Sequence, residues 1–335
     1  MPDGVRYTDA GITPRTNAYA AVEMLSHATP TIVLDKFGMM RRMPKNKTQT
    51  IIFRRPRTFD PATVPLQEGV TPNLTQFRYD DVSGTMRQYG EAVEITDIIK
   101  DFAEDDVAQD AYVQCGENAG RTHEALDWAV LRAGVNVFYA NGASRGAVNS
   151  VFTLDKQRAV TRALKANKAK KITMILSGST DFATVPIEAS YIAVAHTDLE
   201  PDIRNLPGFT PVANYGSRKP CCPQEIGSVE DVRYVLSEDL DPFEDAGDTA
   251  STNNVKSTGG SDADVYPILF FGKEAYGKVA LRGANSMEPS IVPVEQKTKD
   301  DPLGQRGYIG WKSYHLCMIL NELWMARLET ATSDL

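Results

Sequence analysis

Histidine, tryptophan and cysteine are all scarce in this chain: four, three and four among 335 residues. The cysteines lie at 115, 221, 222 and 317, two of them adjacent and none in a CxxC pair. That excludes a disulfide scaffold and a cysteine-based zinc site, and it suits buried thiols kept reduced. Long apolar runs are missing too. Tyr266–Phe271, Tyr191–Ala195 and Val135–Ala140 fall far short of the roughly 18–20 residues that cross a bilayer as a helix. Met1-Pro2-Asp3-Gly4 lacks the basic start and apolar core of a signal peptide, which predicts a protein that stays in the cytoplasm where it is made. Positive charge is in deficit: 36 Lys and Arg against 44 Asp and Glu, a formal net charge of −8. This argues against sequence-specific DNA recognition, though not against loose contact through local basic patches. There is no GxSxG elbow, no GxGxxG loop and no internal repeat. What is present is an ordinary globular balance, 42 % hydrophobic and 24 % charged, with length for about two domains.

The charges that do occur are segregated. Lys36, Arg41, Arg42, Lys45, Lys47, Arg54, Arg55 and Arg57 form a stretch without an acid, after an extended N-terminal region whose best helical piece is Ala18–His27. Strand-like runs follow at Thr50–Phe53, Phe77–Tyr79 and Ala92–Thr96. Between the first two, Pro56, Pro61, Pro65, Gly69 and Pro72 block regular pairing and predict a projecting two-stranded loop. Steps of three and four residues through Tyr112, Cys115, Ala119, Thr122, Leu126, Val130, Ala133 and Val137 predict one long helix from about Asp105 to Tyr139. Its start is acidic, with Asp97, Asp101, Glu104, Asp105, Asp106 and Asp110. A second helix, capped by Thr153 and reaching about Lys170, turns Val160, Ala163 and Leu164 inward and a row of lysines and arginines outward. Tyr191–Ala195 reads as a strand buried on both faces. Residues 238–264, acidic and then rich in Ser, Thr, Asn and Gly, read as a solvated loop.

Two motifs suggest chemistry. Gly272–Lys278 fits GxxxxGK, but Val279 stands where a phosphate-binding loop needs a Mg²⁺-holding hydroxyl, and a strand follows instead of a helix. A turn between structural elements is the better reading. His123-Glu124-Ala125-Leu126-Asp127 is a distant echo of HExxH with one histidine replaced, and only His27, His196 or His315 could supply another imidazole. No catalytic residue, cofactor or metal is assigned from either motif.

The order of the pieces is more specific than any motif. Pro44–Arg55, Pro65–Pro72, Gln88-Tyr89-Gly90 with Val93–Asp97, Phe271–Gly277, Asp301–Gly307 with Gly310-Trp311-Lys312, and Leu320–Met325 together resemble the HK97-fold shell proteins of tailed bacteriophages. More closely, they are similar to the N4-gp56 family of major capsid proteins, over roughly residues 35–328. The resemblance implies an α+β, HK97-like capsid fold. Its parts would be an N-terminal arm (1–45), a projecting β-loop or E-loop (46–96), a spine helix and peripheral domain (97–190), an axial domain with the acidic loop (191–270) and return strands (271–335). It implies a non-enzymatic major capsid protein whose hexamers and pentamers close into an icosahedral head around double-stranded DNA, assembled in the host bacterial cytoplasm and resident in the virion. Scaffolding and portal proteins are the expected partners, with room for a decoration protein. No long extension precedes the arm, so a separate scaffolding protein is expected. Chain-to-chain crosslinking is not inferred, because its Lys and Asn cannot be assigned. The rival readings are a cellular nanocompartment shell of the same fold and a nucleotide-binding enzyme using Gly272–Lys278. The charge segregation adds an interface hypothesis: the basic segment Lys36–Arg57, with Arg41, Arg42, Arg54, Arg55 and Arg57, docks on the acidic helix start Asp97–Asp110 of a neighbour, with Asp101, Asp105 and Asp106, and Glu68 is counted among the assembly residues.

Overall fold

The computed structural model describes residues 32–44, 46, 48–65, 68–69, 71, 74–98, 107–176, 184–216, 218–281, 287–297 and 301–334. The Ala18–His27 helical piece and the acidic residues Asp101, Glu104, Asp105 and Asp106 lie outside them. The chain is first followed at a short 3₁₀ turn, Leu34–Lys36, and then forms strands β1 (Met39–Met43), β2 (Thr50–Pro56), β3 (Tyr79–Thr85) and β4 (Arg87–Thr96). Helix α1 (Val107–Leu131) follows, then β5 (Val137–Tyr139), α2 (Leu154–Ala166), β6 (Ile172–Leu176), β7 (Thr184–His196) and the short α3 (Glu200–Arg204). The remainder is β: β8 (Thr210–Pro211), β9 (Glu225–Val229), β10 (Val232–Ser237), β11 (Tyr266–Phe271), β12 (Tyr276–Leu281), β13 (Met287–Val292), β14 (Arg306–His315), β15 (Cys317–Ile319) and β16 (Met325–Thr330).

A mixed sheet ordered β5-β16-β11-β7-β10-β9-β8, with β6 also on β7, forms the centre. Its middle strands are buried on both faces, and alternation sorts their side chains into two cores. Ile192 and Val194 of β7 join Val235, Leu269 and Phe271 against Trp128 and Leu131 of α1. Tyr191, Ala193 and Ala195 face the other way, with Tyr234, Ile268 and Phe270, against Val160 and Leu164 of α2. The expected two-sided burial of Tyr191–Ala195 is thus observed. A second sheet, β13-β14-β4, lays Ile95, Ile309 and Trp311 on Cys115 and Ala119 of α1. All four cysteines are buried free thiols.

Four expectations change. Helix α1 stops at Leu131, where Gly134 and an exposed Val135 lead into strand β5, so Val137 belongs to a sheet and not to the helix. Its 25 residues span about 37 Å at 1.5 Å per residue. Its buried face is also rotated in the second half: His123, Glu124, Asp127, Trp128 and Leu131 point inward, while Val130 is exposed. Helix α2 ends at Ala166, before Lys168 turns to a left-handed φ of 57°. Its basic face is partly neutralised within the chain: Arg158 pairs with Glu230, and Lys165 and Lys171 with Asp231. Strand β3 begins where the Phe77–Tyr79 run ends and continues through Thr85. Finally, residues 238–264 are irregular and largely exposed, as expected, but they are not loose. Asp264 is fully buried and accepts from the backbone N–H of Asp245 (2.9 Å) and from the N–H (3.2 Å) and hydroxyl (2.8 Å) of Thr258. Ala250, Val255 and Ala263 pack on Ala331. One buried carboxylate organises a segment whose sequence carries no periodicity.

Candidate assembly interface

Strands β2 and β3 form an antiparallel hairpin in which Ile51 faces Gly84, Phe53 faces Val82, Arg54 faces Asp81 and Arg55 faces Asp80. Alternate residues divide its two faces. Ile51 and Phe53 pack down on Met43, Met86 and Val279. A Cβ at Gly84, at the foot of the hairpin, would displace the flexible end of Met318 and crowd Leu316. Arg54 grips Asp81 through two parallel bonds of 2.9 Å, Arg55 donates to Asp80 at 3.3 Å and Arg57 to Asp80 at 3.0 Å. The hydrogen bonds from Arg55 and Arg54 hold the Asp80 and Asp81 carboxyls below the usual carboxylate range, and Asp81 raises Arg54. Three arginines share two aspartates, so the hairpin keeps a positive surplus.

Past the hairpin ladder, the described residues between Arg57 and Arg78 carry no helix or strand, and all of them are exposed. Among the described apolar side chains there, Phe59 is 56 % exposed, Val64 81 %, Leu74 89 % and Phe77 55 %. Phe59 stacks near Phe77 (ring centroids 5.9 Å) and Phe77 meets Tyr79 edge-on (4.6 Å). A lone exposed apolar residue is ordinary, but a group of exposed aromatics with exposed aliphatic neighbours is the kind of patch that marks an interaction surface. These residues were missed in the sequence. Their signal was the i, i+2 aromatic pair Phe77 and Tyr79 inside an otherwise polar, proline-punctuated stretch.

The expected interface residues scatter over this region. Arg41 and Arg42 lie exposed on β1, which pairs in parallel with β12. Arg41 lines a groove of about 490 Å³ beneath the hairpin, together with Phe53, Asp80, Glu274 and Trp324. Glu68 is exposed in a turn beside Gly69, whose φ is 77°. Arg54, Arg55 and Arg57 find partners on their own hairpin. Asp101, Asp105 and Asp106 lie outside the described residues.

The two motifs that suggested chemistry meet each other. Lys278, the terminal residue of the GxxxxGK pattern, lies inside β12 and contacts the carboxylates of Asp35 and Asp127. Asp127 Oδ1 lies 2.9 Å from His315 Nε2, and His123 Nε2 lies 2.6 Å from Ser313 Oγ. Glu124 accepts from the backbone N–H groups of Val33 (3.2 Å) and Leu34 (3.1 Å), tying the incoming chain to α1. Burial draws Lys278 down to about 7 and both histidines to about 3, and pushes Asp127 well above the usual range. A lysine so committed cannot reach a phosphate, and Gly272–Lys278 is a turn leading into a strand. Among the described residues no group of His, Cys, Asp and Glu is arranged to hold a metal.

The family model described as phage capsid protein matches residues 80–328. No curated protein matches the chain. Solved structures share its fold at low identity. The capsid of Ralstonia phage GP4 is 14 % identical with a TM-score of 0.60, over 88 % of this chain and 87 % of that one. The capsid asymmetric unit of cyanophage Pam1 is 14 % identical with a TM-score of 0.60, over 92 % and 93 %. The capsid of cyanophage P-SCSP1u is 14 % identical with a TM-score of 0.57, over 90 % and 89 %. The fold is therefore the HK97-like α+β fold of phage capsids, and a protein of this kind assembles with copies of itself and resides in the virion. With the family model covering most of its length, the chain belongs to the phage capsid protein family and is a major capsid protein that forms the shell of a phage head.

Proposed function

We propose that the chain is an N4-gp56-type major capsid protein, that its hexamers and pentamers close an icosahedral shell around double-stranded DNA, and that its role is structural, with no substrate to turn over. The observation that carries this reading is the loop of residues 57–78, whose Phe59, Val64, Leu74 and Phe77 are uncovered in the single chain. Such a patch gains its apolar burial only against another molecule, and a neighbouring copy supplies one in a closed shell. The surplus positive charge of Arg54, Arg55 and Arg57, with Arg41 and Arg42 nearby, supports docking on the acidic stretch Asp101, Asp105 and Asp106 of that neighbour. Exposed ion pairs contribute only about 0–1 kcal/mol each, so this contact sets register while the exposed aromatics supply strength. The division into arm, projecting loop, spine and peripheral domain, axial domain and return strands belongs to the same proposal. So do a separate scaffolding protein, a portal, a decoration protein and assembly in the host bacterial cytoplasm. The test is negative-stain electron microscopy and sedimentation of the purified chain co-expressed with its scaffolding protein. Closed shells or capsomer rings are the expected result. A small soluble oligomer under every condition would sink the proposal.

A further inference from the structure

The buried cluster beneath α1 holds more acid than base. Asp35, Glu124 and Asp127 face one lysine, while His123 and His315 are neutral. Glu124 is served by two backbone N–H groups, which leaves Asp35 and Asp127 to share Lys278. Two carboxylates and one ammonium leave an uncompensated charge, which a low-dielectric interior resists, so the pair retains a proton. Asp127 is the group that holds it: its side chain is fully buried, whereas that of Asp35 keeps 9 % of its surface. The result is an ammonium and a carboxylic acid in contact, shielded from water, with a carboxylate touching the same nitrogen.

We propose that this is the site of a self-formed isopeptide bond within one chain, joining Lys278 Nζ of β12 to Asp127 Cγ of α1. Asp35 takes one proton from the Lys278 ammonium. The neutral nitrogen attacks Asp127 Cγ and forms the C–N bond as the carbonyl opens. A second nitrogen proton passes to the hydroxyl at Oδ2, the C–O bond breaks and one water leaves. Asp35 ends as a neutral carboxylic acid, and the nitrogen keeps one hydrogen as the amide N–H. No oxidant, metal or co-reactant enters. His315 Nε2, 2.9 Å from Asp127 Oδ1, is placed to donate to the oxygen that becomes negative in the tetrahedral intermediate and is the amide oxygen afterwards. The reaction removes two buried charges, which opposes its reversal in a site closed to water. The product ties α1 covalently to β12, whose other neighbours are β1 and β15.

Intact-mass measurement on the denatured full-length chain tests this without relying on any variant to fold. The expected mass is one water below that of the sequence. Trypsin should yield one branched species in which Thr122–Arg132 is joined to Glu274–Arg282, cleavage after Lys278 being blocked. Lys278→Arg should lose the branch and restore the full mass. Asp35→Asn should form it about 10²-fold more slowly, the usual scale for removing a positioned proton-transfer group. A full mass with no branched peptide, in protein aged for days at neutral pH, overturns the proposal. So does a water loss confined to one linear peptide, or a branch located on Asp35.

Discussion

The β2–β3 hairpin and the cluster beneath α1 are built from the same pairing, a basic side chain against aspartate, and the surroundings give it opposite meanings. On the hairpin, Arg54, Arg55 and Arg57 keep 59 %, 42 % and 63 % of their side-chain surface and hold Asp80 and Asp81 in water. Each pair there is weak, screened by salt and replaceable. Under α1, Lys278 and Asp127 are sealed from solvent, so neither can lose its partner without stranding the other. The hairpin can exchange its contacts for those of a neighbour. The cluster cannot, and it fastens the incoming segment, α1 and strand β12 into one body.

The largest effect should therefore come from the cluster. Lys278→Met leaves Asp35 and Asp127 facing each other without their shared partner, and should cost about 3–5 kcal/mol in urea unfolding of the unassembled chain. Adding Asp35→Asn and Asp127→Asn should recover much of that loss. A loss below about 1 kcal/mol for Lys278→Met alone would erase the contrast with the hairpin.

The pH dependence of stability probes the same region. His123 and His315 have folded values near 3, below the ordinary 6.5, because burial disfavours their charged forms. The unfolded chain then binds protons that the folded chain refuses. Stability from this source is complete above pH 6.5 and is lost as pH falls from 6.5 toward 3. His123→Asn should reduce the proton uptake on unfolding at pH 5 by about one. An unchanged uptake would show that His123 is already charged in the folded chain.

On the loop, effects should appear in assembly and not in folding. Phe59→Ser with Phe77→Ser removes two exposed rings, and should leave unfolding of the single chain within about 0.5 kcal/mol. If these rings form a shell contact, shell yield on sedimentation should collapse, since buried aromatic anchors at interfaces contribute about 2 kcal/mol or more each. Normal shells would move the interface elsewhere.

The smallest effect belongs to the hairpin charges. Arg54→Glu with Arg55→Glu should lower shell yield while leaving the far-ultraviolet circular dichroism of the chain unchanged. The exchange Arg54→Asp with Asp81→Arg separates two causes. Restored yield means the pair serves its own hairpin. Continued loss means Arg54 also serves a neighbour.

Much of the fold was legible because its physics is local. The apolar run Tyr191–Ala195 gave a buried strand, the β-branched run Thr50–Phe53 gave one strand of the hairpin, and the 3–4 step through Cys115 and Ala119 gave the first half of α1. The resemblance carried by ordered short motifs gave the phage capsid family and its fold. In the second half of α1 the same rule misleads, because it assumes that the inward face is apolar. His123, Glu124 and Asp127 are buried there, and Val130 is not. Their partners, Lys278, His315, Ser313 and the Val33 and Leu34 amides, lie from 90 to 190 residues away along the chain. The loop around Asp264 follows the same logic on a smaller scale, its order coming from one carboxylate and the C-terminal strand region. By itself, then, the sequence determined where the main strands and helices lie, since propensity and periodicity act between near neighbours. Only the tertiary structure decided which charges are spent in water and which are sealed inside, because the free energy of a charge depends on what the fold brings around it.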